Sequence, residues 1–87
     1  MSTIEAIQQD KLAMSVARAL TVANDAAAAQ GVIPAESLVT ITEQRVAPKR
    51  LWQIHYGPCD YILRRGGDLT VVVDEDSGTV QRLLRGQ

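Results

Sequence analysis

Apolar residues recur every three or four positions in the first third of the chain and nearly every second position afterwards. Leu12, Val16, Leu20, Ala23 and Ala27 fall on one side of a 3.6-residue helix, and Ala13 and Ala17 widen that stripe. Lys11, Ser15, Arg18, Asn24 and Asp25 fall mostly off it. Nine alanines between Ala6 and Ala29 favour helix, and Ser2-Thr3-Ile4-Glu5 has the form of a capping box. The pattern predicts a helix over about 3–30. Ile4 and Ile7 fit the stripe loosely, so residues 4–10 read equally as a separate first turn or a frayed arm. Gly31 suits the position just past the helix end, and Pro34 prevents its resumption. The Ala26–Ala29 run suits close approach to a sheet, with a helix–helix contact as the alternative.

Four strands are predicted, over about 37–46, 50–56, 68–74 and 79–85. In the first, Val39 and Ile41 alternate with Thr40 and Thr42. Pro48, Lys49 and Arg50 make a turn. The second strand puts Trp52, Ile54 and Tyr56 on one face and Leu51, Gln53 and His55 on the other, and Gly57-Pro58 ends it. Residues 59–65 read as a connection or short edge strand. Leu69, Val71 and Val73 then alternate into a hairpin whose turn is Asp74-Glu75-Asp76-Ser77-Gly78, with Gly78 supplying a positive φ. A helix followed by antiparallel strands implies an α+β fold, one long N-terminal helix packed on a four-stranded antiparallel sheet. The far side of that sheet is expected to carry Thr40, Thr42, Gln53 and His55.

The chain has 87 residues, 46% of them hydrophobic, which suits one small domain with a modest core. Nine basic and ten acidic residues leave a net charge of −1; residues 1–44 carry −3 and residues 45–87 carry +2. That asymmetry is too mild to point to nucleic acid. Arg64, Arg65, Lys49, Arg50, Arg82 and Arg85 form a basic set near Trp52, Tyr56 and Tyr61, but Asp60, Asp68, Asp74, Glu75 and Asp76 interleave with it. Glu5 and Asp10 stand where a signal peptide carries basic residues, and Gln8, Gln9 and Lys11 interrupt the hydrophobic stretch that such a peptide needs. A soluble cytoplasmic protein is expected, with no membrane segment.

Few residues offer chemistry. Cys59 is the single cysteine, and His55, Cys59 and Asp60 are the only nucleophile-and-base set. No oxyanion-hole pattern accompanies them, and one His with one Cys falls short of a closed zinc site. Asp74, Asp76 and Gly78 resemble a calcium loop only in part: Gly78 is fifth where the sixth is needed, and Arg85 stands where the bidentate glutamate belongs. An Asx-type turn closed by Asp74 or Asp76 is the better account. Gly66-Gly67 precedes a strand, so it reads as a turn or bulge and not as a phosphate loop. No cofactor, metal or enzymatic activity is expected.

The Trp-x-Ile-x-Tyr strand and the closing V-V-V-D-x-x-S-G-x-V hairpin resemble those of small PepSY and cystatin-like domains. The R-G-G-D-L-x-V-x-V-D ending with its terminal Gly-Gln is also similar to NTF2-fold immunity proteins of bacterial polymorphic toxin systems, although this chain is shorter than a full NTF2 fold. The resemblance covers roughly residues 50–87 and implies a non-enzymatic domain that binds protein or peptide. The concrete form is an inhibitor or immunity protein that occludes a cognate toxin. Asp60, Tyr61, Arg64 and Arg65, in the least regular stretch, are the expected partner contacts, with Gln53 supporting them from the sheet. The alternative is a self-associating module, a homodimer through its sheet or its alanine-rich helix. A Cys/His enzyme built on His55 and Cys59 stands third.

Overall fold

A computed structural model describes residues 10–58 and 68–85. It shows an α+β arrangement: helix α1 (Lys11–Ala29), a short 3-10 turn (Pro34–Glu36), then β1 (Ser37–Val46), β2 (Lys49–Pro58), β3 (Leu69–Asp74) and β4 (Val80–Arg85). The strands form one antiparallel sheet in the order β1-β2-β3-β4, and the helix packs on one of its faces.

The helix begins where Asp10 turns extended backbone into helix. Its side chain accepts the Ala13 N–H at 3.1 Å, satisfying one of the unpaired amides of the first turn. The expected capping box at Ser2–Glu5 lies outside the described residues, as does the part of the predicted 3–30 helix before Asp10. At the other end Gly31, with φ of +81°, follows a cap at Gln30. The Gly31 N–H reaches the Ala28 carbonyl at 3.0 Å and the Val32 N–H the Ala27 carbonyl at 2.9 Å. This is a Schellman closure, and Val32 packs on the core beside it.

Small helix residues meet large sheet residues in the core. Ala19, Ala23 and Ala27, spaced by four, are buried against Trp52, Ile54 and Tyr56 of β2 and Leu69, Val71 and Val73 of β3. Val16, Leu20, Val22 and Ala26 flank them, whereas Ala28 and Ala29 are exposed. The alanines therefore serve close helix–sheet approach. The predicted stripe is corrected in two places. Ala17 is exposed and Ala19, absent from that stripe, is buried. Leu12 belongs to the stripe but is 57% exposed, lining an open cleft with the charged residues Glu43, Arg45 and Arg50.

The strand pairing bears out the predicted alternation. β1 and β2 pair without a slip, Thr40 opposite His55 and Thr42 opposite Gln53, so these four share the face away from the helix. The turn between them is shorter than Pro48-Lys49-Arg50: Lys49 and Arg50 already pair, with Val46 and Arg45, and only Ala47 and Pro48 lie between the strands. β2 also continues past Tyr56, since Gly57 and Pro58 stand opposite Leu38 and Ser37. Between β3 and β4 the register slips by one, leaving Gln81 as an extra residue in β4. The hairpin turn is an Asx turn: Asp74 Oδ1 accepts from the N–H groups of Asp76 and Ser77 at 2.8 and 3.3 Å, and Gly78 has φ of +66°.

Candidate functional site

The sheet has two unlike faces. One carries the core, and the other, built from alternate residues of all four strands, is covered by no described element. Its middle holds Gln53, half-buried, between Thr42 of β1 and Val72 of β3, with Arg82 of β4 beyond Val72. One row toward the β1–β2 turn lie Leu51 and Gln44, and one row the other way lie Thr40, His55, Thr70 and Leu84. A shallow depression of about 280 Å³ lies on this face, lined by Gln53, Leu51, Val72, Arg82 and Leu84 among others. That is below the roughly 300–1,000 Å³ typical of small-molecule sites.

Besides Arg82 in its middle row, this face carries a charged pair at each end. At one end Lys49 Nζ lies 3.7 Å from Asp74 Oδ2, whose carboxylate is otherwise engaged in the turn. At the other His55 Nε2 lies 3.2 Å from Asp68 Oδ2, both side chains partly exposed. The predicted set of His55, Cys59 and Asp60 is thus met by a different carboxylate within the described residues; Cys59 and Asp60 lie outside them. Imidazole beside carboxylate orients a ring, and Thr40 and Thr70 flank His55 across the strands. Among the described residues, no group of three or more His, Cys, Asp or Glu is placed to hold a metal.

A second polar cluster sits where the helix starts. Arg50 Nε lies 3.2 Å from Glu75 Oε2 and 3.4 Å from Glu43 Oε2, and Arg45 Nε lies 3.1 Å from Glu43 Oε1. The Glu75 N–H also donates to the Arg50 carbonyl at 3.1 Å. Open clefts of about 490 and 530 Å³ adjoin this cluster. Each of these two arginines faces a carboxylate of the same chain, so the cluster ties β1, β2 and the β3–β4 turn together.

Of the residues expected to contact a partner, Gln53 lies at the centre of the open face. Asp60, Tyr61, Arg64 and Arg65 lie outside the described residues, as does Gly66-Gly67. Alternation already put Leu51 on the face of Gln53, but sequence reading missed Leu84, Arg82 and Asp68. The first two are placed by cross-strand register, which a single strand's alternation does not supply. Asp68 directly precedes β3 and meets His55 only because Tyr56 pairs with Leu69.

No protein-family model, curated protein or solved structure matches the chain. Among the described residues no helix is long and apolar enough to cross a membrane.

Proposed function

We propose that this chain is a non-enzymatic protein-binding domain, of PepSY-like or small cystatin-like kind, that acts by covering the working surface of a protein partner. The observation that carries the reading is the sheet face around Gln53, covered by no described element, with Leu51, Leu84 and Arg82 beside it. An inhibitor or immunity protein working in the cytoplasm against a cognate toxin is the concrete form. In such a protein a rigid two-layer scaffold holds a preformed face, and little order has to be gained on binding. Leu51 and Leu84 supply apolar contact, while Gln53, Thr42 and Thr70 supply hydrogen bonds around it. The connection bearing Asp60, Tyr61, Arg64 and Arg65 adds an arginine and aromatic contribution of the kind that dominates binding energy.

Capture of a partner from the native lysate on tagged protein, repeated with variants, tests this reading. Gln53→Arg and Leu84→Asp change side chains on the outer face and are expected to leave the thermal midpoint within a few degrees while abolishing capture of a stoichiometric partner. Arg64→Ala with Arg65→Ala is expected to weaken capture at least tenfold. A partner held equally by the wild type and by both outer-face variants contradicts the proposal.

A further inference from the structure

β1 stands at an edge of the sheet and buries none of its large apolar side chains. Leu38 and Val46 are 49% and 62% exposed on the outer face, and Val39 and Ile41 are 40% and 37% exposed on the helix face. The helix lies over β3 and β2 and leaves β1 almost untouched. On the side away from β2, where no described strand pairs with it, β1 presents the N–H and C=O groups of alternate residues.

The two edges of the sheet are built differently. β4 is six residues long, carries the extra Gln81, and bears Arg82 and Arg85; Arg85 Nη1 is tied to the Gln30 carbonyl at 3.2 Å. Short length, a bulge and positive charge are the devices that blunt an edge. β1 is ten residues long, pairs with β2 without a slip, and has no charged residue from Ser37 to Thr42.

We infer that β1 is a self-association edge whose occupant is β1 of a second copy, antiparallel about a two-fold axis at Thr42. The spacing of the apolar residues sets the register of this self-complementary pair. Leu38 and Val46 are equidistant from Thr42, so a two-fold there sets Leu38 against the partner's Val46 and Val46 against the partner's Leu38. Thr40 meets the partner's Gln44, and Thr42 meets its own mate. On the helix side Val39 lies beside the partner's Arg45, whose methylene stem covers it, and the two Ile41 side chains approach diagonally across the axis. Moving the axis by one residue in either direction places Leu38 or Val46 beyond the end of the opposing strand.

The pairing makes about eight to ten backbone hydrogen bonds, close to the number in an interface of standard size. It brings no uncompensated acid to the axis, because each Glu43 is held by Arg45 and Arg50 of its own chain. It also leaves the outer face around Gln53 open, so this association stands or falls separately from the outer-face reading.

The test is solution mass combined with a register-specific cross-link. Light scattering at micromolar concentration is expected to give the mass of two chains for the wild type and of one chain for Ile41→Lys combined with Val46→Lys, with unchanged circular dichroism. In a Cys59→Ser background, Thr42→Cys places two thiols about 4.5–5.5 Å apart at the Cα atoms and is expected to oxidise to a covalent dimer. Ala17→Cys, exposed on the helix, is expected to oxidise at least tenfold more slowly. A wild type with the mass of one chain, or Thr42→Cys no faster than Ala17→Cys, overturns the inference.

Discussion

Tyr56 joins the two layers of the molecule at a single hydroxyl. Its ring is buried in the core, and its Oη donates to Asn24 Oδ1 on the helix at 2.7 Å. Burial disfavours the phenolate and pushes the Tyr56 pKa up from 10.0 to about 12. Because the folded value lies above the unfolded one, this group's contribution to stability is complete below pH 10 and is lost as pH rises through 12. An absorbance titration is expected to show one tyrosine ionising near pH 12 together with alkaline unfolding, and Tyr56→Phe is expected to remove that late ionisation. Burial of Tyr56 was legible from the Trp52-Ile54-Tyr56 alternation. Its partner was not, because an asparagine off the apolar stripe reads as solvated, and only the packed helix brings Asn24 over β2. Trp52 was legible as core for the same reason, while its Nε1, buried without a hydrogen-bond partner among the described residues, is a product of packing alone.

At the scale of elements, local chemistry was the readable part. Gly31 closing the helix, Asp74 and Gly78 shaping the hairpin turn, and the two-residue period of β2 and β3 are all properties of neighbouring residues. Ala23 and Ala27 were readable from the helical stripe, whereas Ala19 in place of Ala17 was not, since an alanine carries little signal of which side it faces. Ala23 is fully buried and Ala28 exposed. Ala23→Leu is accordingly expected to destabilise the fold by about 1–3 kcal/mol through overpacking. Ala28→Leu should stay within about 0.5 kcal/mol in the same denaturant titration. Similar costs at the two sites would mean that the helix is rotated from its described setting. The exposure of Val39 and Ile41 also has an elementary cause. One helix is about 10–12 Å across and strands are spaced about 4.8 Å apart, so a single helix cannot cover four strands.

For the whole molecule, one helix and four strands make two layers: the helix covers β2 and β3 on one face of the sheet, and no described element covers the other. The covered side uses the largest side chains of β2 and β3, and the other keeps Thr40, Thr42, Gln53 and Thr70 with Leu51 and Leu84 among them. Sequence alternation assigned Gln53 to the open face, but the neighbourhood of Gln53 required the register of three strand pairs, including the slip at Gln81. The carboxylate that meets His55 among the described residues is Asp68. The central claim, that the open face meets a protein partner, is tested most directly by hydrogen exchange on the captured complex against the free chain. Protection is expected to rise at backbone amides around Gln53, Thr70, Val72 and Arg82, with helix α1 unchanged. Protection gained only along the exposed side of α1, at Arg18, Thr21 and Asp25, with the sheet unaffected, would contradict it.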